Sequence, residues 1–140
     1  MPKRFTETKK WADGWFRKLS PKLKCFWQYI CDECDNAGVW KPDFELASFF
    51  IGESISADES LALLNEGKNR IELLKTGEWH IQDFVWFQFG ELTLSCPPHR
   101  QVLDLITNHR VKKGYQKGKL RAQEKEKEEE QDMDKEKEKG

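Results

Sequence analysis

At 140 residues the chain has room for one domain with a modest core, not two. Its composition, 37% hydrophobic with six Trp and nine Phe, calls for a packed interior, while 35% of residues are charged. The formal net charge of −1 hides an uneven distribution. Residues 1–24 carry eight Lys/Arg against two acids, 25–98 four against thirteen, 99–121 seven against one, and 122–140 five against nine. Two basic flanks thus enclose an acidic middle, and the flanks are what bear on polyanion binding.

The basic start runs into Trp11-Ala12-Asp13-Gly14 and not into an apolar stretch, so no secretory signal is expected. No apolar run approaches the roughly 18 residues of a membrane span. Four cysteines without secretory or membrane signals suit thiols or metal ligands better than disulfides, and the chain is expected in the cytoplasm.

Residues 1–19 interleave cations with aromatics: Lys3, Arg4, Phe5, Lys9, Lys10, Trp11, Trp15, Phe16, Arg17 and Lys18. Asp13-Gly14 predicts a turn, and Trp15–Leu19 one short helical turn. Ser20-Pro21 is a helix start, a cap acceptor followed by proline at the first helical position. Leu23, Phe26, Trp27, Ile30, Cys31 and Cys34 then recur with helical spacing and form one apolar face. Asn36-Ala37-Gly38 ends that helix, with Gly38 as a left-handed cap. Val39–Lys41 reads as a short extended link. Pro42-Asp43 starts a second helix with Phe44, Ala47, Phe50 and Ile51 inward, stopped by Gly52. Ser56 and Glu59 have capping-box spacing and open a third helix with Leu61, Leu63 and Leu64, closed near Gly67.

Next comes a hairpin over 70–81. Ile71 and Leu73 point one way, as do Trp79 and Ile81 beyond the break, which is the two-residue period of a half-buried strand. Gly77 within Lys75–Glu78 supplies the positive φ that a tight reversal demands. This pair is expected to be the only sheet, leaning on the helices around it. Past Ile81 the alternation fails. A second strand running through Phe89 and a short helix from near Gln82 both fit, and the helix is favoured because a strand would turn Asp83 inward. Pro97-Pro98 precede a last helix in which Val102, Leu103, Ile106 and His109 share a face. The folded domain is expected over about 1–115, with a charged low-complexity tail over 116–140.

The fold class is therefore α+β, mostly α. Helix, short strand, helix, helix, hairpin, helix is the order of a winged helix-turn-helix, in which the third helix and the hairpin, or wing, face DNA. Four stretches also recur in a familiar order: KWADGWFRKL at 10–19, CDNAGVW at 34–40, FVWFQFGEL at 84–92 and Cys96-Pro97-Pro98-His99. Over about residues 4–112 the chain resembles the N-terminal winged-helix domain of phage and prophage replication proteins of the replisome-organiser type. The resemblance implies DNA binding at a replication origin in the cytoplasm of a bacterial host, and recruitment of replication proteins such as a helicase or its loader. It implies no catalytic residues.

The residues themselves point the same way. The two flanks hold fifteen Lys/Arg, enough for several phosphate contacts if they converge. Candidate DNA-binding residues are Lys9, Lys10, Arg17 and Lys18 in the first flank and Arg110, Lys112 and Lys113 in the second. Lys68, Asn69 and Arg70 before the wing, with Lys75 and His80 at its tip, complete the set. The third helix is poorly suited to groove reading, because it has Asp58, Glu59 and Glu66, no Lys or Arg, and only Ser60 and Asn65 as base readers. Contact mainly through phosphates is expected. The competing class is a protein-interaction module that uses the acidic third helix and the aromatics Trp11, Trp15 and Phe16.

Cys31-x2-Cys34 and Cys96-x2-His99 together supply four ligands of the kind structural zinc takes. Cys31 and Cys34 equally fit the apolar face of their helix as buried thiols, and Cys25 lies outside both pairs. Gly114–Lys119 lacks P-loop spacing, no nucleophile elbow occurs, and three scattered His suggest no triad. No enzymatic activity is expected.

Overall fold

The computed structural model describes residues 3–111, so Lys112, Lys113 and the tail over 116–140 lie outside the described residues. After a 3-10 turn over Thr8–Ala12 come α1 (Gly14–Lys18), α2 (Pro21–Glu33), β1 (Val39–Trp40), α3 (Phe44–Ile51) and α4 (Ala57–Leu64). Strands β2 (Ile71–Leu73) and β3 (Trp79–Ile81), then α5 (Phe84–Phe89) and α6 (Pro97–Asn108), complete the order. Among the described residues no helix is long and apolar enough to cross a membrane.

Most cap signals act as their chemistry requires, but Gly38 does not cap α2, which ends at Glu33 with Cys34 already extended; Gly38 instead turns the chain toward β1. Ser20 Oγ accepts from Leu23 N at the start of α2, Asp43 Oδ1 accepts from Leu46 N at the start of α3, and Gly52 closes α3 at φ +86°. The α4 start differs from expectation. Ser56 makes no side-chain cap bond, so the capping box does not form. The serine one turn later, Ser60, turns inward and its hydroxyl donates to the Ser56 and Ala57 carbonyls. Asp58 and Glu59 still place negative charge in the first turn, where the helix dipole favours it.

The hairpin is not alone. Val39 and Trp40, expected only as a link, pair antiparallel with β3, so the sheet has three strands in the order β1-β3-β2. In register, Val39 and Glu72 flank His80, and Trp40 and Leu73 flank Trp79. A central β3 bonded on both sides is far better supported than a free two-stranded ribbon. The link is steered into place by Asp35, whose Oδ1 accepts from Ala37 N and Val39 N. Gly38, at φ +80°, is required twice. Its backbone is left-handed, and an added Cβ would meet Phe84 Cβ at 2.7 Å and Ile81 O at 3.0 Å.

Four rings from four elements meet at the centre of the core. Phe26 (α2), Trp40 (β1), Phe44 (α3) and Trp79 (β3) pack with centroids 5.3–6.0 Å apart, mostly edge to face. Residues 84–89 are helix, and its inner face, Phe84 and Val85, is buried. The N-terminal residues are strapped across α5. Phe5 and Gln88 exchange two hydrogen bonds of 2.7 and 2.8 Å, and Arg4 donates to Asn36 Oδ1 and Cys34 O while lying over the Phe84 ring. Phe50 corrects another expectation. It is exposed, because α3 docks through Phe44, Ala47 and Ile51, and the opposite side of this nearly all-apolar helix is left uncovered.

Truncating the central cluster should cost far more than truncating the exposed Trp11. We predict that Phe26→Ala lowers unfolding free energy by about 3–5 kcal/mol, against less than about 1 kcal/mol for Trp11→Ala. Urea unfolding of the two variants checks this, and equal midpoints would contradict the assignment of the core.

Candidate nucleic-acid interface

The region where sequence charge and structure coincide surrounds a stacked pair, Arg70 on Trp15. The Arg70 guanidinium carbon lies 3.8 Å from the Trp15 ring centroid. Its Nη1 donates to the carbonyls of Leu64, Glu66 and Lys68, closing the end of α4, and Trp15 Nε1 donates to Leu63 O. Asn65 finishes the junction. Its Oδ1 accepts from Arg70 N and Ile71 N while its Nδ2 donates to Ile71 O, which sets the entry of β2. Burial lowers the Arg70 pKa from its ordinary value, opposed by Asp13 and Asp83.

A groove opens on each side of this pair. The larger, about 700 Å³, has Arg4, Lys9, Lys10, Lys68 and Arg70 in its lining, with Trp15, Trp27, Phe84 and Phe87 as apolar walls. Its four carboxylates are Glu7, Asp13, Asp32 and Asp83. Three of these have partners: Glu7 accepts from Lys9 N, Asp13 from Trp15 N, and Asp83 forms a 2.6 Å ion pair with Lys68. Among the described residues Lys10 bonds to the neutral oxygens of Thr6 and Gln28 and to no carboxylate. The smaller groove, about 620 Å³, is lined by Lys18, Lys22 and Arg70 with Glu59 and Glu66.

The predicted residues therefore fall into distinct groups. Lys9, Lys10 and Lys18 come together with Lys68 and Arg70 at the foot of the hairpin, and Arg17 is exposed on α1 beside Lys18. Asn69 and Lys75 are exposed, the latter at the turn closed by Leu74 and Gly77. Arg110 is exposed at φ +55° just past α6. That helix end meets the α2–β1 turn, where His109 Nε2 lies 2.7 Å from Asp35 Oδ2, and approaches the hairpin, with Nδ1 3.9 Å from Glu78 Oε1.

His80 must be removed from the surface set. It is 0% exposed, because strand alternation turns it to the sheet face opposite Trp79 and Ile81, and that face is covered too. Among the described residues neither ring nitrogen has a hydrogen-bond partner, and Glu72 Oε2, on its cross-strand neighbour, is likewise buried and unpartnered. Ser60 and Asn65 are also lost as base readers, the first buried and the second bonded to the backbone of β2. Sequence reasoning missed the role of Trp15 and Arg70 as one stacked unit, whose only signal was an aromatic-rich basic start.

The four proposed zinc ligands are not gathered. Among the described residues no three His, Cys, Asp or Glu side chains are grouped to hold an ion. Cys34 is buried with its Sγ donating to Cys31 O, and His99 Nδ1 instead accepts from Thr93 N. Burial raises both helix thiols, Cys31 to about 12 with help from Asp32, and Cys34 further still. Both are neutral thiols, Cys31 on the apolar face of α2 and Cys34 at the extended residue that ends it.

No protein-family model matches the chain, and no curated protein or solved structure matches it either.

Two measurements follow from these environments. Burial pushes His80 down from 6.5 to about 4, against weaker upward pulls from the Ala37 backbone, which does not reach hydrogen-bonding geometry, and from Asp35. Between those values the unfolded chain binds the proton and the folded chain does not. Stability therefore falls as pH drops from about 6.5 to about 4, by on the order of 3 kcal/mol. His80→Gln should flatten the melting temperature against pH in that window, and an unchanged slope would refute the assignment. In native protein, Ellman's reagent should modify exposed Cys25 well before Cys31 and Cys34, with the difference lost in denaturant.

Proposed function

We propose that the chain is a non-catalytic DNA-binding domain of the winged-helix type, contacting DNA mainly through phosphates. The observation that carries this reading is the convergence at the Trp15–Arg70 pair. Lysines from the first basic flank line two grooves together with Lys68 and Arg70 at the foot of the hairpin. Charges spread over some sixty residues of sequence thus occupy one region, as a multi-phosphate contact requires. The strand order β1-β3-β2, with α3 and α4 between β1 and the hairpin, supports the winged-helix reading.

The acidic α4 argues for phosphate contact over base reading. Asp58 and Glu59 repel a phosphate backbone, and its two neutral candidates, Ser60 and Asn65, are committed to internal bonds. Lys9, Lys10, Arg17 and Lys18 with the exposed Lys75 turn are then the contact groups, and Arg110 opens a second arm beside the hairpin. The resemblance to replisome-organiser domains extends the proposal to a replication origin, where helicase or loader recruitment would follow binding.

Fluorescence anisotropy with a labelled duplex and its single strand, titrated from 50 to 200 mM salt, tests this. Affinity should fall steeply with salt, and Lys9→Gln/Lys10→Gln should both weaken binding and reduce the salt slope by about 2. Absence of binding to either DNA form at 50 mM salt, or binding indifferent to salt, would sink the proposal.

A further inference from the structure

The surface of α3 turned away from the core is an apolar feature that the DNA reading leaves unused. Leu46, Phe49 and Phe50 are 44%, 76% and 64% exposed. Their spacing, i, i+3 and i+4, places them on one helix face. The Phe49 and Phe50 rings pack 5.5 Å apart, and Phe50 lies 6.3 Å from Tyr29 on α2, so the patch spans two helices. Contiguous large apolar groups held open to water are the mark of an interaction site.

The charges around the patch are mostly acidic. From Pro42 to Gly67 the chain carries Asp43, Glu45, Glu53, Asp58, Glu59 and Glu66, and no Lys or Arg. Glu33 and Asp43 stand close enough to Tyr29 to raise its phenol pKa, adding to the effect of burial. The nearest cations in sequence are Lys41, exposed before the α3 cap, and Lys22, whose Nζ donates to Ser54 O. This border selects the occupant. Nucleic acid and anionic membrane would bring further negative charge. A second copy docking the same face symmetrically would set carboxylates against carboxylates.

We propose that Leu46, Phe49 and Phe50, bordered by Glu33, Asp43, Glu45 and Glu53, form a docking face for a basic amphipathic helix of a partner protein. The apolar stripe of that helix covers the two phenylalanines, and its flanking Lys or Arg meet the carboxylates. The face is built from α3 and α2 and does not depend on the grooves at Trp15–Arg70.

The test uses the full chain and a helical 18-residue peptide of Leu and Lys, with leucines on one face, against a permuted peptide of equal composition with leucines scattered. Calorimetry should give one-to-one binding of the amphipathic peptide, about tenfold or more tighter than the permuted one. Phe49→Ser/Phe50→Ser should abolish that preference while leaving melting temperature and DNA affinity unchanged, since both rings are exposed. Glu45→Lys/Glu53→Lys should weaken binding several-fold and reduce its salt dependence. Equal affinity for the two peptides, or undiminished binding by the double serine variant, overturns the proposal. So does a sedimenting dimer that the serine variant converts to monomer, since the face would then belong to a second copy.

Discussion

Trp40 and Trp79, neighbours on adjacent strands, hold the structure together more than any helix does. Each strand is too short to be stable by its own ladder, two residues in β1 and three in β3. What fixes them is that their indoles fill the space between α2 and α3, closing on each other, Phe26 and Phe44 with centroids 5.3–5.9 Å apart. Side-chain packing thus determines the backbone pairing, not the reverse. The position of the hairpin, and with it Lys75 and Arg70, is inherited from that contact.

Helices with clear start signals were legible in the sequence. Ser20-Pro21 and the apolar period behind them mark α2, and Pro97-Pro98 mark α6. The helical nature of 84–89 followed from a polarity argument at Asp83, which is exposed beside Lys68 in the fold. What was not legible depends on distant partners. Two residues cannot display a period, so β1 looked like a link. In α3 only Glu45 and Ser48 interrupt the apolar run, so periodicity had no polar side by which to choose, and Phe50 was placed inward. His80 obeyed alternation, but alternation does not reveal that both faces of the sheet are covered.

The candidate site was legible as charge and illegible as commitment. Counting Lys and Arg locates the flanks, yet it treats Lys9, Lys68 and Arg70 as equals. In the fold Lys68 is paired with Asp83, and Arg70 serves three carbonyls and an indole, while Lys10 meets only neutral acceptors among the described residues. Asn65 shows the same limit from the polar side. Its amide looked available to a base, but it is the splice between α4 and β2. A side chain's donors are divided only after the backbone around it is placed.

The burial of His80 has a further consequence for the hairpin as an instrument. A wing with one wet face bends and twists about its turn, and ordering it against a ligand costs entropy. Here β3 is hemmed by strands on both edges and covered on both faces, and the end of α6 braces Glu78 near the turn. Within the described hairpin the turn over 75–77 and Leu73 on the outer strand β2 are the exposed parts. Such a hairpin acts as a rigid prop. On the proposed reading it would lose little freedom on contact, and fitting between the two surfaces would fall to the partner.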